Sequence, residues 1–253
     1  MFSLIGLGLN PRQLTLEALH AIQASDSAWV EGYTSMYAEG NLEGLEGIVH
    51  RKLSPIGRSD IEEGMKGFLS RAQQNHIALL VYGNPLTATT HISLIQECVR
   101  QRIPYQVIPG VSVFDYRGVC GLDEYKFGRT TTFVFPEEGH EPLSPFDIIV
   151  KNKSMGLHTH CLFDLHPEKQ RMMRVDEAIS FILKAGEARR VVVHEWVGVG
   201  LGGMGSPNPE IRAARLGELQ KQNWEKFPQS LIVCGDMNAH ERDALRALGG
   251  WGG

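Results

Sequence analysis

Four apolar runs in this chain end in small or turn-forming residues, and these ends are the first candidates for a binding site. Backbone N–H groups and hydroxyls in such loops can hold a ligand, and in open α/β sheets ligands bind outside the carboxyl ends of the strands. For any one loop, glycine, asparagine and proline that only make a turn remain the alternative. The four stretches are GLGLNP (6–11), YGNPLTATTH (82–91), IPGVSVF (108–114) and VGVG (197–200).

The first stretch resembles a dinucleotide-binding turn but lacks one of its glycines. Gly6 and Gly8 occupy the first two positions of the G-x-G-x-x-G pattern, and the third falls on Pro11. Proline has no N–H and a fixed φ, so it can open a helix but cannot replace that glycine. A pyrophosphate site is therefore disfavoured here.

The stretch YGNPLTATTH predicts binding and positioning more than hydrolysis. Gly83 and Asn84 end a buried strand, and Pro85 fixes the turn. Its threonines (Thr87, Thr89 and Thr90) are expected to cap the next helix and to leave a hydroxyl-rich mouth. Only His91, at the edge, could act as a base.

The run HTHCLFDLH (158–166) raises the hypothesis of a metal hydrolase. An H-x-H pair on a strand places both imidazoles on one face, and Asp164 or His166 could complete a ligand set with His158 and His160. No second H-x-x-H or H-E-x-x-H motif accompanies the pair. We therefore predict that no metal is bound, with the hydrolase as an alternative.

Two further stretches have ambiguous roles. The glycine-rich VGVGLGGMGSPNP (197–209) lacks the G-K-[ST] ending of a phosphate loop and is expected to form a flexible flap. The segment HEW (194–196) is expected to end a buried strand, where Glu195 is either a rim carboxylate or a catalytic one.

Apolar runs alternate with amphipathic stretches along the chain, which is typical of the α/β fold class. Residues 1–111 are predicted to form an α/β domain with a mostly parallel sheet, and residues 112–253 a second α/β domain with a mixed sheet. Helices of the second domain are expected in DEAISFILKAGEA and in part of PEIRAARLGELQKQ. Its predicted strands are TTTFVFPEEG, HTHCLFDL, RVVVHEWVG and SLIVCGD.

Composition narrows the class of protein. With 42% hydrophobic and 21% charged residues the chain has the balance of a globular protein, which disfavours disordered and fibrous classes. A net charge of -4 gives no basic footprint for nucleic acid. No apolar run reaches the length of a membrane span, and no signal peptide is recognisable. Four scattered cysteines indicate free thiols, so we expect a cytoplasmic protein. From the charge and the lack of a membrane span we expect neither nucleic-acid nor membrane partners.

Taken together, the motifs resemble a known family. LIGLGL followed by LTLEAL resembles the opening of the tetrapyrrole-methylase superfamily, whose members use S-adenosylmethionine. Within that superfamily the chain resembles the diphthine synthase family along essentially its whole length. The stretches that carry this resemblance are VEGYTS (30–35), GNPLTATTH (83–91), CGLDEYKFG (120–128), GLHTHCLFDL (156–165) and NPEIRAA (208–214).

The resemblance implies two α/β domains with S-adenosylmethionine bound in the cleft between them, and a homodimer. It also implies the reaction, in which the amine of a modified histidine of translation elongation factor 2 is methylated during diphthamide biosynthesis. The number of methyl groups, and whether a methyl ester also forms, differs between members of the family. An acceptor that is a tetrapyrrole or another small molecule is the alternative within the superfamily.

The resemblance also implies the residues that contact the methyl donor. In the first domain these come from the opening loop and the loop after the second long strand, and the others lie at or beyond the domain junction. They are Leu9, Asn84, Thr87, Ser112, Val113, Phe163, Val197 and Asn238.

Two of these residues depart from the family pattern. The family typically has Asp at the position of Asn84 and His at the position of Asn238. Because an amide cannot replace the charge of a carboxylate toward a cationic donor, a degenerate donor-binding protein is a further alternative. Methyl transfer needs alignment of the reactants more than a dedicated nucleophile, and no catalytic base is assigned.

Overall fold

The computed structural model describes residues 1–136, 143–166, 169 and 171–253. The chain divides into two compact units, Met1–Val113 and Phe114–Gly253. The sequence-based domain boundary, between residues 111 and 112, stays a prediction.

The first unit contains a parallel sheet, as predicted. Its strands are β1 (Phe2–Gly6), β2 (Ser27–Glu31), β3 (Ser54–Ile56), β4 (Ile77–Val81) and β5 (Tyr105–Ile108). They lie in the order β3-β2-β4-β1-β5, and the described pairs are parallel. The register aligns Glu31 and Gly6 with Val81. The carboxyl ends of β1, β2 and β4 therefore meet at one edge of the sheet.

Both faces of this sheet are covered. Every residue of β1 and β4 is buried, which explains their continuous apolar sequences. Phe2 and Leu4 pack into one core cluster and Ile5 into another, because successive strand residues face opposite sides. The covering helices are α1 (Leu16–Ala24), α2 (Leu42–Val49), α3 (Arg58–Glu62), α4 (Met65–Ser70) and α5 (Ile92–Arg100).

The second unit has a mixed sheet, again as predicted. Its strands are β6 (Thr131–Phe133), β7 (Thr159–Phe163), β8 (Leu165–His166), β9 (Arg171–Met172), β10 (Val197–Gly202), β11 (Glu210–Arg215) and β12 (Gln229–Val233). The main sheet runs β11-β10-β12-β7-β6, with β6 parallel to β7 and the other neighbours antiparallel. Strands β8 and β9 pair antiparallel in a separate two-stranded sheet. The helices are α6 (Ser144–Ser154), α7 (Val175–Arg189), α8 (Leu216–Leu219) and α9 (Ala239–Gly249).

The expectation of a flexible flap at the glycine-rich stretch is wrong for its first half. Val197–Gly202 forms β10, a buried strand between β11 and β12. A Cβ on Gly200 would lie 2.2 Å from the ring of Trp224, and one on Gly198 would lie 2.7 Å from Leu216. The glycines therefore make room for large side chains packed on the strand.

Of the other local predictions, one is wrong and two hold in part. The segment HEW lies in a turn before β10 rather than at the end of a strand, and its carboxylate, Glu195, is exposed and paired with Arg215 at 2.5 Å. Part of PEIRAARLGELQKQ is helical, as predicted: Leu216–Leu219 forms α8, and residues 210–215 before it form β11. The predicted strand TTTFVFPEEG is β6 at its start, and its last three residues lie outside the described residues.

Within the described residues no helix has the length and apolar character needed to cross a membrane.

Candidate functional site

Three loops at the carboxyl edge of the first sheet pack backbone to backbone. Gly8 and Gly83 exchange two hydrogen bonds: the Gly8 amide donates to the Gly83 carbonyl at 3.2 Å, and the Gly83 amide donates to the Gly8 carbonyl at 2.9 Å. A Cβ on Gly6 would lie 2.4 Å from the nitrogen of Gly110 and 2.7 Å from the oxygen of Gly83. The loops after β1, β4 and β5 therefore lie in close contact at their glycines, and three of the four stretches singled out in the sequence converge.

Leu9 lies within this cluster. Its amide donates to Gln13 Oε1 at 2.8 Å, and its carbonyl accepts from the Ala38 amide at 3.0 Å. Its Cδ2 and the Val111 oxygen each lie 3.9 Å from where a Cβ on Gly83 would stand. Leu9 is thus brought next to the chain neighbours of Asn84 and Ser112.

The loop 83–91 is a compact turn. Asn84 Oδ1 accepts from the Leu86 amide at 3.1 Å, and the Asn84 carbonyl accepts from the Thr87 amide at 3.2 Å. Thr87 and Asn84 are half-buried. Both predicted contact residues therefore stand on one short turn beside the glycine cluster.

The expectation that the threonines cap the next helix is wrong. Helix α5 begins at Ile92, and its N-cap, His91, makes no side-chain cap hydrogen bond. Thr89 instead donates back to the Pro85 carbonyl at 2.6 Å. The helix begins after the threonines, so the Thr89 hydroxyl bonds within the turn and not to the start of the helix.

Ser112 and Val113 follow β5 at the end of the first unit. Ser112 is buried and Val113 is half-buried at the start of a 3-10 segment, Val113–Cys120. Ser112 is next to Val111 in the chain, and the Val111 oxygen faces Gly83. The first unit therefore gathers its predicted donor contacts around one edge of its sheet.

The second unit does not gather its predicted contacts in this way. Val197 lies where β10 begins, and its carbonyl accepts from the Cys234 amide at 2.9 Å, just beyond the end of β12. Asn238, farther along that connection, is exposed and caps α9. Phe163 ends β7 and pairs with Phe133, while Thr159 at the other end of β7 pairs with Val233. Four strand residues, about 13 Å, therefore separate Phe163 from the Val197 end of the sheet.

Asn238 and Glu241 form a reciprocal cap. Asn238 Oδ1 accepts from the Glu241 amide at 2.9 Å, and Glu241 Oε2 accepts from the Asn238 amide at 2.8 Å. This bonding satisfies amides at the start of α9. The contact of Asn238 with a donor stays a prediction, and its observed role is structural.

Glu241 is the centre of a buried network that sequence reasoning missed. Oε2 accepts from Lys126 Nζ at 2.5 Å, and Oε1 accepts from the Asp123 amide at 3.1 Å and from His158 Nε2 at 2.8 Å. Burial alone would raise the pKa of Glu241, but these hydrogen bonds, first that of Lys126, outweigh it and lower the pKa to about 2. The motifs YKFG and GLHT thus meet at one ionised carboxylate. The signal in the sequence was the N-x-x-E spacing of a capping box.

Both imidazoles of the H-x-H pair are fully engaged. His158 Nδ1 accepts from the Gly235 amide at 3.0 Å, so its Nε2 carries the proton donated to Glu241. His160 Nδ1 accepts from Arg117 Nε at 3.2 Å, and its Nε2 lies 3.1 Å from Ser230 Oγ. Burial first, and the charge of Arg117 second, lower the pKa of His160 to about 3. Neither ring has a lone pair left for a metal, and among the described residues no group of three or more metal-ligating side chains occurs.

We expect purified protein to contain far less than one transition metal per chain. Both ring nitrogens of each histidine already bond to protein groups, so binding zinc would break two hydrogen bonds at each ligand. Elemental analysis by plasma mass spectrometry checks this. About one zinc per chain in the parent, absent from the double variant His158→Ala, His160→Ala, would contradict it.

The family model for tetrapyrrole (corrin/porphyrin) methylases matches residues 1–220. A diphthine synthase of Methanococcus maripaludis is 31% identical over 251 residues, covering 98% of each chain, and one of Methanosphaera stadtmanae is 32% identical, covering 98% of this chain and 95% of the other. A crystal structure of diphthine synthase superposes with a TM-score of 0.90 at 27% identity, covering 99% of this chain and 96% of the other. A putative diphthine synthase from Entamoeba histolytica, at 24% identity and a TM-score of 0.89 with 98% of each chain covered, has the same fold.

Proposed function

Because the chain belongs to the tetrapyrrole (corrin/porphyrin) methylase family and matches diphthine synthases over nearly its whole length, we propose the acceptor and the donor of its methyltransferase reaction. The acceptor is the amine of the modified histidine of translation elongation factor 2, and the donor is S-adenosylmethionine. The reaction is a step of diphthamide biosynthesis. The observation that supports the assignment best is the meeting of the loops after β1, β4 and β5 at Gly6, Gly83 and Gly110.

The first-unit loops fit the donor chemically. Leu9 contributes an apolar wall, and the turn at Asn84 and Thr87 offers amide, hydroxyl and backbone groups suited to an adenosine or amino-acid moiety. S-adenosylmethionine supplies a methyl group on a sulfonium that is already an excellent leaving group. The protein's part is therefore to hold and align the reactants and to exclude water. A dedicated nucleophile is unnecessary.

In the second unit the proposed contacts are Phe163, Val197 and Asn238. Phe163 lies at the opposite end of the sheet from the other two. Separate donor-affinity measurements on Phe163→Ala and Val197→Ala distinguish which end of the sheet takes part.

The deciding experiment is mass spectrometry of the acceptor. Elongation factor 2 that carries the unmethylated precursor is incubated with this protein and S-adenosylmethionine, and the mass of the modified histidine peptide is measured. We expect the mass to rise by methyl increments, whose number gives the extent of methylation. An unchanged acceptor together with donor binding favours the alternative of a small-molecule acceptor or a degenerate donor-binding protein.

We also propose that the enzyme is a homodimer in the cytoplasm. The support is the resemblance to the family, together with four free and buried cysteines among the described residues, which suit a reducing compartment. Light scattering is expected to give twice the chain mass of 28.1 kDa.

We expect Asn84→Asp to strengthen donor binding. The Asp side chain can still accept from the Leu86 amide, so the turn persists, and it adds a negative charge toward a cationic donor. A partly buried charge-assisted bond is typically worth roughly 1.5 to 3 kcal/mol, up to about a hundredfold in affinity. Calorimetric Kd values at one pH and salt concentration check this.

The matched control for that measurement is Asn41→Asp. Asn41 also accepts one backbone amide, that of Gly44 at 2.8 Å, at the start of α2. Its substitution adds the same charge and is expected to leave donor affinity unchanged. Equal affinities of Asn84→Asp and the parent would show that the carboxylate is dispensable, and weaker binding would show that Asn84 does not face the donor.

A further inference from the structure

Glu31 is a fully buried acid at the carboxyl end of β2, with one of its oxygens unpaired. Oε1 accepts a short hydrogen bond from Thr34 Oγ1. Oε2 has no hydrogen-bond partner within the described chain. An unpaired carboxylate oxygen in this setting is costly unless the group is protonated or has an unseen proton donor.

His91 faces that oxygen with an unpaired nitrogen of its own. Its side chain is 2% exposed, and Nε2 lies 3.8 Å from Glu31 Oε2 without a hydrogen-bond partner among the described residues. Nδ1 lies 3.2 Å from the Pro85 carbonyl oxygen. A carbonyl oxygen can only accept, so Nδ1 carries a proton, and in the neutral ring Nε2 is a bare acceptor.

Two bare acceptors therefore face each other unless one proton lies between them. The proton can sit on Glu31, giving a neutral acid and a neutral imidazole, or on His91, giving an ion pair. A movement of about 1 Å brings the 3.8 Å separation to a direct hydrogen bond. Because both side chains are buried, the neutral form avoids the cost of placing two charges away from water.

The surroundings favour the neutral form. Burial raises the pKa of Glu31 to about 7, against the hydrogen bond of Thr34 and the positive charge of Arg58. Burial lowers the pKa of His91, against the Pro85 hydrogen bond and the charge of Glu62. Two phenols interact with the pair, those of Tyr33 and Tyr82, whose pKa values are raised by burial first and by Glu31 second. Tyr37 packs on Tyr82 with ring centroids 4.7 Å apart.

The pair is linked to the loop that carries the proposed donor contacts. His91 Nδ1 and Thr89 Oγ1 both donate to the carbonyl oxygen of Pro85, at 3.2 and 2.6 Å. Pro85 directly follows Asn84, and the same turn contains Thr87. A hydrogen bond between His91 Nε2 and Glu31 therefore fixes the position of the turn relative to β2.

We propose that Glu31 and His91 share one buried proton and that this bond positions the loop 83–91 for methyl transfer. Both are positioning residues, since they act on the donor through Pro85 and its neighbours. The positioning role rests on the proposed function, whereas the shared proton does not. Loss of the proton places a carboxylate lone pair against an imidazole lone pair and loosens the loop.

The first test is the tautomer of His91 in the free protein. Nitrogen chemical shifts of ¹⁵N-histidine-labelled protein, assigned by loss of the signal in His91→Gln, are expected to report the Nδ1–H tautomer near pH 6. The Nε2–H tautomer overturns the shared proton. A charged ring with no change on titration to pH 8.5 places the proton on His91, and it overturns the neutral form and the expected loss of the proton over this pH range. This measurement needs neither donor nor acceptor and uses the unaltered chain.

The second test is the pH dependence of donor affinity. The parent is expected to lose about tenfold in affinity between pH 6 and pH 8.5, because Glu31 loses its proton over that interval. Glu31→Gln keeps the acceptor for Thr34 and supplies a permanent N–H to His91 Nε2, so its affinity is expected to vary at least fivefold less. Glu63→Gln removes an exposed acid that directly follows α3 and contributes to the pKa shift of neither Glu31 nor His91, and it is expected to keep the parent's profile.

The outcomes separate this inference from the proposed function. Identical profiles for the parent and Glu31→Gln, with donor bound, overturn the positioning role alone. Absence of donor binding at every pH, with His91 in the expected tautomer, overturns both the proposed function and the positioning role and leaves the shared proton standing.

Discussion

Gly6→Ala is expected to destabilise the protein by roughly 3 kcal/mol and to abolish donor binding. The added methyl group would lie 2.4 Å from the Gly110 nitrogen and 2.7 Å from the Gly83 oxygen. Both neighbours are backbone atoms, which cannot rotate away as a side chain could, so the loops after β1, β4 and β5 must separate. Overpacking of this kind typically costs 1–3 kcal/mol, occasionally more. Urea denaturation gives the free energy of unfolding, and calorimetry gives the affinity.

The matched control for this prediction is Gly47→Ala. Gly47 lies within α2, where a Cβ meets nothing within 4 Å. The substitution is expected to stabilise the helix by up to about 1 kcal/mol and to leave donor affinity unchanged. If Gly6→Ala behaved like this control, the three loops would not be in the close contact described.

Glu241→Ala is expected to cost about 3 to 5 kcal/mol in the free energy of unfolding. The carboxylate is 2% exposed and accepts from Lys126, His158 and two backbone amides. Its removal leaves the buried N–H of His158 without its acceptor and takes the counter-charge from Lys126, which keeps its bond to the Asp236 carbonyl. Removing one member of a buried charged network is costly. Asp243→Ala is the control on the same helix, since that acid is exposed and forms only an i,i+3 pair with Arg246.

The pH dependence of stability provides a second measurement on Glu241. Its pKa in the folded protein is lowered from 4.5 to about 2, so its contribution is fully present above about pH 4.5 and is lost as the pH falls toward 2. A shift of about 2.5 units at about 1.4 kcal/mol each corresponds to about 3 kcal/mol. The difference in unfolding free energy between the parent and Glu241→Ala is therefore expected to shrink by about that amount between pH 5 and pH 2. A difference that stays constant with pH would show that the carboxylate's hydrogen bonds do not set its pKa.

The sequence by itself determined the fold class because that information is local. Runs such as IALLV, apolar at every position, read as strands buried on both faces, and β4 is such a strand. Glycines at the ends of such runs predicted that these loops could converge, and Gly6, Gly83 and Gly110 do meet at one edge of the sheet. That a ligand binds at this edge stays a prediction. The family motifs extend over the whole chain, so the resemblance was readable without any contact being known.

Predictions from local sequence pattern were wrong where the structure of a segment depends on the residues that pack against it. The glycine-rich segment at 197–202 has the composition of a loop, yet it is a strand because Trp224 and Leu216 occupy the space that side chains would fill. Those partners lie more than ten residues away in sequence, and no pattern within the segment predicts their contact with it.

Only the tertiary structure decided which polar groups are partners. His158 and Glu241 are 83 positions apart, and Glu31 and His91 belong to different elements that the parallel register of β2 and β4 brings to one edge. The sequence presents H-x-H as a metal pair because it shows spacing and residue type alone. Burial and long-range pairing determine which nitrogen carries the proton and which lone pair is already used, and these contacts form only when the sheet is assembled.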